Sequence, residues 1–425
     1  MNIQFCKKCT ISNFRPSTCI EFKNKNSNKT YIKFNDGICS ACFVNNTYKP
    51  SIDWEKRKND LDLLLNSLKS DKIYDVIIPA SGGKDSTYQC YILKTLHKAK
   101  CLSVTWAPHI YTIPGFKNLQ NMIHNIGIDN LLFTPNGKVH RLLTKLAFKN
   151  ILHPFQPFII GQKNIALKMA VMYDVNAVFY GENEAEYGNN IDQLKIPFRK
   201  LEHCVVNDDE DFNEFIISGV KVKNLISDYG LTMEDLEPYL PLKKSQLKGK
   251  DIKIYYTGHF YKWDPQQVFY KMARECGFLT NDHRTEGSYC KYSSFDDRID
   301  GFHYYTTWVK FGLGRASYDT SQEIRNKKIS LEEGRMLVKK YDGEFPTRFF
   351  AEVINYLDIS VEEFFETIDK FRNPLLWEKI DTHKWKMKHT CYSEEKIDDN
   401  YNKVKTFLKN NPNNNYLIKY KKLSF

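Results

Sequence analysis

The sequence predicts an α/β protein with a doubly wound, mostly parallel sheet. A small cysteine-rich module precedes the sheet and a helical C-terminal region follows it. Three observations lead there. From residue 73 to about 190, short apolar runs alternate with helical periodicity, the rhythm of a parallel sheet covered by helices. Two C-x-x-C pairs, Cys6/Cys9 and Cys39/Cys42, crowd the N-terminal end. Beyond residue 264 helical patterns dominate. A chain of 425 residues has room for about two to three domains. The expected division is 1–47, 48–72, 73–260, 261–400 and 401–425: a cysteine module, a linker helix, the sheet domain, a helical domain and a partly ordered tail.

In the first 47 residues each C-x-x-C pair can sit on a tight knuckle, and together they supply four thiolates for a closed tetrahedral site. Thr30–Phe34 alternates like a strand and Asn35-Asp36-Gly37 supplies a turn. The module therefore reads as a zinc ribbon, with a redox-active pair or an iron–sulfur centre as the alternatives. The other seven cysteines, Cys19, Cys90, Cys101, Cys204, Cys276, Cys290 and Cys391, are scattered singly. Residues 53–69 follow as a helix, with Asp53 as its cap and Leu61, Leu65 and Leu68 on one face.

The sheet begins with the apolar run Tyr74–Pro79, which leads into Ser81-Gly82-Gly83-Lys84-Asp85-Ser86. A helix follows, with Tyr88, Ile92, Thr95 and Leu96 on one face. Without Cβ atoms at Gly82 and Gly83, the backbone can approach an anion closely at a helix N-terminus. Ser81 and Ser86 add hydroxyls, Lys84 a charge, and Asp85 a carboxylate for Mg²⁺. Cys101–Trp106, Asn130–Thr134, Ala177–Tyr180 and Asp251–Thr257 are the further strands. Phe116–Ile126, Lys138–Phe148 and Gln162–Tyr173 are the helices between them. Ligands of such sheets sit beyond the strand C-termini, so Trp106 and Gly181-Glu182-Asn183 are expected beside the loop. Lys163, read at a helix start, joins them as a nucleotide-site candidate, because a cation there favours a bound anion. The C-terminal helices are expected at Pro265–Cys276, Arg298–Phe311, Thr320–Asn326, Leu331–Tyr341 and Val353–Asp369.

The net charge is +11, from 62 Lys+Arg against 51 Asp+Glu. The lysines are scattered among abundant Asn and Ile with no single-sign block, so the charge names no partner and nucleic acid is not expected. No apolar run approaches the roughly 18 residues of a membrane span, and no secretory signal pattern opens the sequence. A cytoplasmic protein without a membrane partner is the expectation.

Ser81–Ser86 resembles the SGGxDS loop of the PP-loop ATP pyrophosphatases, which cleave ATP between its α and β phosphates. Further blocks occur in order: the two cysteine pairs, Gly181-Glu182-Asn183, Glu186-Tyr187-Gly188, Thr285-Glu286-Gly287-Ser288-Tyr289, Asp296-Asp297 with Asp300-Gly301, and Lys310-Phe311-Gly312-Leu313-Gly314-Arg315-Ala316. Together they resemble the N-acetyl sugar amidotransferases, the WbpG/PseA-like group, from residue 1 to about 377. The long span between cysteine pairs and the Asn/Lys-rich tail depart from the pattern.

The resemblance implies an enzyme that uses ATP, Mg²⁺ and Zn²⁺ to turn the acetamido group of a bacterial surface-glycan sugar into acetamidino. The sugar is free or nucleotide-linked. Ser81, Gly82, Gly83 and Ser86 would cradle pyrophosphate, Lys84 would neutralise it and Asp85 would hold Mg²⁺. Lys310 and Arg315 would form a second cationic turn, with helix C-capping as its alternative role. Asn183, Glu186, Tyr187, Glu286, Ser288 and Tyr289 fall on the substrate side. Glu286 and the Asp296/Asp297/Asp300 group can bind metal or sugar hydroxyls. No cysteine occupies a glutaminase context, so the resemblance implies ammonia from separate glutaminase and cyclase-like subunits. Two rival readings remain: a tRNA thiolation enzyme, which needs cysteines gathered at the ATP site, and a zinc-ribbon nucleotide-binding adaptor without catalysis.

Overall fold

The computed structural model describes residues 2–14, 32–181, 196–199, 201, 204–411, 416 and 418–424. Cys19, Glu182, Asn183, Glu186 and Tyr187, all named above, lie outside the described residues. The central sheet has six strands: β1 (Val76–Pro79), β2 (Cys101–Trp106), β3 (Asp129–Phe133), β4 (Ala177–Tyr180), β5 (Phe198–Arg199) and β6 (Lys253–Tyr256). Their spatial order is β3-β2-β1-β4-β6-β5. Every pairing is parallel except that of the short edge strand β5 on β6.

The strands are apolar because both faces are covered. Ile77 and Val178 face one core with Leu142, Leu143, Ile165 and Ala166. These come from the helices α3 (Gly137–Ile151) and α4 (Gln156–Met172). Val76, Ile78 and Phe179 face the other core, with Tyr88, Leu119 and Met272. Those belong to α1 (Lys84–Cys90), α2 (Ile113–Ile126) and α5 (Pro265–Cys276). Strand order reverses between β1 and β4, so a crevice opens at the C-terminal end of β1. Ser81–Ser86 sits there.

The chain departs from its predicted elements for identifiable reasons. After α1 the residues Tyr91–Leu96 form a π-helical turn. The wider turn brings Leu93 into the core and leaves Leu96 exposed. Helix α4 starts at Gln156 with Pro157 in its first turn, six residues before the expected start. The expected helix Val353–Asp369 is two helices, Phe350–Leu357 and Val361–Lys370. Asp358 ends the first at φ 53, and the Ser360 side chain caps the second. The C-terminal region is also not helical throughout. Trp377–Asp381, Lys384–Met387 and Lys396–Asp398 form an antiparallel sheet, and Asn400–Asn410 is a helix. Among the described residues no helix is long and apolar enough to cross a membrane.

Two contacts fasten the C-terminal region to the sheet. Asp297 accepts from the His109 backbone N–H at 2.6 Å and lies 2.7 Å from His109 Nδ1, with both side chains buried. Asp297 also accepts from Ile299 N at 3.0 Å, and Thr112 N donates to the Asp296 carbonyl at 3.0 Å. At the far end of the chain, Arg141 of α3 donates to the carbonyls of Tyr356 and Lys421, at 2.9 and 3.0 Å. The Arg141 guanidinium also lies 4.6 Å from the Tyr420 ring centre. Residues 418–424 therefore lie as a strap across the helix Phe350–Leu357 and α3.

Removing the Asp297 carboxyl leaves the buried His109 backbone N–H and imidazole without their hydrogen-bond partner. Asp297→Ala is expected to lower stability by about 3 kcal/mol, and Asp297→Asn by less, in urea unfolding followed by fluorescence.

Candidate functional site

The turn after β1 is built for close approach. Gly82 has φ +85, and a Cβ there would meet Leu119 Cα and N at 2.5 Å. Only glycine allows the loop to lie this tightly on α2. Gly83 caps α1 without a side-chain cap bond. The loop braces itself: Ser81 N donates to Ser86 Oγ at 3.1 Å and Gly83 N to Ser81 Oγ at 3.2 Å. Lys84 is buried and pairs with Asp85, and its ammonium lies 5.9 Å from the Tyr292 ring centre. The Trp263 indole N–H donates to Asp85 Oδ1 at 3.1 Å, which fixes that carboxylate.

The loop opens on a cavity of about 530 Å³, lined by Ser81, Gly83, Lys84, Asp85, Ser86 and Gly181 on one side. The opposite wall includes Asp296, His303, Tyr304, Arg315, Asp319 and Glu323. These come from α6 (Asp300–Phe311), α7 (Arg315–Arg325) and the loop before them. Arg315, Asp319, Gln322 and Glu323 share one face of α7 because 3–4 residue spacing keeps them in line. Arg315 donates to Ser294 Oγ at 2.7 Å and Tyr304 OH at 2.5 Å, and its Nε lies 2.9 Å from Asp319 Oδ1. Burial works against its charge, but Asp319 and Tyr304 outweigh burial and hold the proton firmly.

Asp296 stands against the loop, where Ser81 Oγ donates to its Oδ2 at 3.3 Å. Burial pushes its carboxyl up to about 6, with the Asp297 charge adding to the shift and the Ser81 bond opposing it. Burial and the charges of Asp297 and Asp296 push Asp300 well above the usual carboxylate range. His303 is held down to about 3 by burial and by Lys310 and Arg315, so it is neutral at pH 7.

The structure brings Ser81–Ser86, Gly181 and Arg315 together and sends other candidates elsewhere. Lys310 donates to the Ile151 carbonyl at 3.0 Å and does not line the cavity. Gly312 (φ +71) ends α6 as a left-handed cap, so capping accounts for that part of the expected cationic turn. The N-terminus of α7 is taken by Asp342, which accepts from Gly314 N at 2.9 Å and Ser317 N at 3.2 Å. Trp106 is a core residue: its indole fills the space a Cβ at Gly161 would occupy, 2.3 Å away. Lys163 lies in the middle of α4, so the argument from a helix start does not apply. Glu286 is half-buried outside this cavity, accepting from Thr347 Oγ1 at 3.0 Å and Arg348 N at 3.1 Å. Ser288 and Tyr289 act one step back. Ser288 Oγ donates to Asp319 at 2.6 Å and Tyr289 OH to Glu323 at 2.9 Å.

Sequence reasoning passed over Asp319, Gln322, Glu323, His303, Tyr304, Tyr292 and Trp263. The polar stripe of α7 was readable as a pattern, since positions 315, 319, 322 and 323 fall on one helical face. Nothing in the sequence said that this face turns toward the loop.

The four N-terminal cysteines meet. All are buried, and their Sγ atoms lie within 4.8 Å of one another. Cys9 and Cys39 are 3.7 Å apart, close to the sulfur–sulfur edge of about 3.8 Å that a tetrahedral ion with 2.3 Å bonds requires. Lys8 N and Cys39 N both donate to Cys6 Sγ at 3.3 Å, bonds that suit a thiolate. The donor set thus fits a single closed metal site. Among the described residues no other group of three or more His, Cys, Asp or Glu side chains can hold a metal, the Asp296/Asp297/Asp300 group included. The turn Asp36-Gly37, with φ 50 and 79, positions the second pair. This module packs on α7: Thr10 Oγ1 donates to the Ser317 carbonyl at 3.0 Å and Asn45 to the Arg325 carbonyl at 3.0 Å. Burial works against the Arg325 charge, yet Cys9, Cys42 and Cys39 outweigh it.

Residues 286–392, about a quarter of the chain, match the family described as "LPS biosynthesis protein WbpG-like, C-terminal domain". No curated protein matches. Among solved structures, the chain is similar to the NH3-dependent NAD synthetase of Campylobacter jejuni, with 12% identity and TM-score 0.25. That likeness covers 32% of this chain and spans 59% of the length of the synthetase. It is also similar to the U34-tRNA thiolase NcsA of Methanococcus maripaludis with its [4Fe-4S] cluster, with 14% identity and TM-score 0.30, covering 80% of this chain and 90% of the thiolase. The chain is a mixed α/β protein with a mostly parallel central sheet, a four-cysteine cluster before it and a WbpG-like region after it.

Two outcomes follow from this geometry. Stripping metal with a chelator, or Cys39→Ser, is expected to lower Tm and to speed hydrogen exchange in Arg315–Arg325 more than in the sheet. Asp296 sets a pH dependence. Its carboxyl ionises near 6 when folded and near 3.9 when unfolded. Stability from this group is therefore full below about 3.9 and declines as pH rises through 6. Sulfate, a non-titrating stand-in for phosphate, is expected to bind the loop more weakly as pH passes upward through 6. Asp296→Asn should flatten both profiles, read by calorimetry and by sulfate titration.

Proposed function

We propose that the protein is an ATP-dependent amidotransferase that converts the acetamido group of a bacterial surface-glycan sugar to acetamidino, releasing AMP and pyrophosphate. One observation carries this reading. The glycine turn with Lys84 and Asp85 faces a cavity whose opposite wall, from Cys290 to Glu323, lies inside the WbpG-like segment. A phosphate-binding loop and a region similar to a lipopolysaccharide biosynthesis protein share one site.

The chemistry needs an activated oxygen, because an amide oxygen does not leave unaided. The amide oxygen attacks the α-phosphorus of ATP, a P–O bond forms, and pyrophosphate departs. Ammonia then adds to the same carbon, the C–O bond breaks, and AMP carries the oxygen away. The amidinium keeps one positive charge, and the remaining ammonia proton passes to pyrophosphate. Lys84 offsets charge on the departing pyrophosphate, and Gly82 and Gly83 admit its oxygens to the backbone. Asp85, fixed by Trp263, would hold Mg²⁺, which supplies neutralisation of the phosphates. Arg315, kept straight by Asp319, Ser294 and Tyr304, offers a second cation from across the cavity.

The cysteine tetrad would hold Zn²⁺ as a structural ion, since four thiolates leave no open position for chemistry. Its contribution is to prop α7. The thiolation reading asks for cysteines gathered at the ATP site. Cys90, Cys101 and Cys276 instead lie in the core beneath the sheet, where burial raises each thiol. Among the described residues, Cys290 is the one cysteine that lines the cavity. These positions support amidation over sulfur transfer. Ammonia would come from a separate glutaminase partner.

The test is incubation of the full chain with ATP, Mg²⁺, ammonium and a panel of free and nucleotide-linked N-acetyl sugars, followed by mass spectrometry. The expected product is lighter by about 1 Da, the mass change when NH replaces O, with AMP formed in equal amount. Lys84→Ala should lower the rate by about 10²-fold or more. AMP formation only on adding tRNA would replace this reading with thiolation.

A further inference from the structure

Asp296 meets the phosphate loop from across the cavity, and three contacts fix its backbone there. Thr112 N donates to the Asp296 carbonyl at 3.0 Å. Gly115 of α2 lies so close that a Cβ there would meet Asp296 Cα at 2.7 Å. The next residue, Asp297, is held by the backbone N–H and imidazole of His109. The Asp296 carboxyl is thereby set 3.3 Å from Ser81 Oγ, and a Cβ on Gly83 would meet its Oδ2 at 3.3 Å. Asp296 is half-buried and lines the cavity, so it borders the cradle that Gly82 and Gly83 open to phosphate.

The charge of this carboxyl is poorly compensated. Lys84 and Arg315, the cations that line the cavity among the described residues, are paired with Asp85 and Asp319. Burial, then the charges of Asp297 and Asp85, oppose its ionisation, while the Ser81 hydroxyl and Lys84 favour it. Asp300 of α6 and Tyr111, ahead of α2, also face it, and burial with the neighbouring aspartate charges raises both. An anion seated on the loop adds one more negative group beside Asp296, with little water between the two. Such a pair holds a proton in common.

We propose that Asp296 is a catalytic acid of the ATP site: it hands a proton to the pyrophosphate that departs and recovers one from the ammonia that adds. When the amide oxygen attacks the α-phosphorus, the bond from that phosphorus to the bridging oxygen breaks. The electron pair stays on pyrophosphate, which takes the Asp296 proton. When ammonia adds to the activated carbon, its surplus proton passes to the Asp296 carboxylate. The net transfer is one proton from ammonia to pyrophosphate, and the carboxyl ends as it began. The second half of this cycle rests on the amidotransferase reading.

The test reads proton uptake first, because that needs no acceptor. The full chain is titrated with α,β-methylene ATP and Mg²⁺, a nucleotide that cannot lose pyrophosphate, by calorimetry in buffers of different ionisation enthalpy. At pH 7 the natural sequence is expected to take up about one proton more than Asp296→Asn. At pH 5 the difference should nearly vanish, since the free carboxyl, which ionises near 6, already carries its proton. Asp296→Asn should bind the analogue at least as tightly at pH 7, because it removes a negative group from beside the phosphates. With the sugar panel, the same variant should lower kcat for AMP formation by about 10²-fold and leave KM for ATP little changed. Asp296→Glu, which keeps a titrating group, should recover part of that loss. Equal proton uptake with and without the Asp296 carboxyl, or an unchanged kcat in Asp296→Asn, would overturn the proposal. Loss of analogue binding in both variants would overturn it too, by making the residue structural. The acid and the amidotransferase reading fail separately. Uptake that depends on Asp296, with no amidine from any sugar, keeps the proton site and removes the activity. Amidine formed by Asp296→Asn at the unaltered rate does the opposite.

Discussion

Helix α7 is anchored at both ends by buried polar groups, and the candidate site depends on that restraint. At its N-terminus the Asp342 carboxyl, whose pKa burial raises, accepts from the N–H groups of Gly314 and Ser317. At its C-terminus Arg325 is drawn to the cysteine thiolates. Between these anchors Arg315, Asp319 and Glu323 line one wall of the cavity. Seen this way the N-terminal cysteine module is a buttress placed far along the chain from the helix it supports. The contact from Thr10 to Ser317 closes that distance directly.

The sheet side is close-packed at one point. Gly82 lies so near the backbone of Leu119 that no side chain fits between the loop and α2. Asp296 then packs against Ser81, so the two halves of the cavity meet through a carboxyl that burial pushes up to about 6. The loop's own hydrogen bonds, Ser81 N to Ser86 Oγ and Gly83 N to Ser81 Oγ, hold it in this shape.

Much of this was legible in the sequence. The apolar strands Val76–Pro79 and Cys101–Trp106, the glycine turn and the cysteine pairs follow from local rules, and they appear where those rules put them. What could not be read was tertiary. Trp106 stands at a strand end where ligands are expected, but Gly161 gives its indole a place in the core. Lys163 is expected at a helix start, but the helix begins at Gln156 and Lys163 falls in its middle. Ser288 and Tyr289 belong to a block singled out in the sequence, and their role is to hold carboxylates of α7 and not to touch the cavity. Residue spacing yields faces of helices; which face meets which needs the fold.

The strap formed by residues 418–424 bears on how this chain can be divided. Arg141 belongs to the sheet, yet its guanidinium is covered by Tyr420 and bonded to the Lys421 carbonyl. The last stretch of polypeptide thus returns to a helix laid down some 280 positions earlier. A protein closed on itself in this manner resists being split into separately expressible halves.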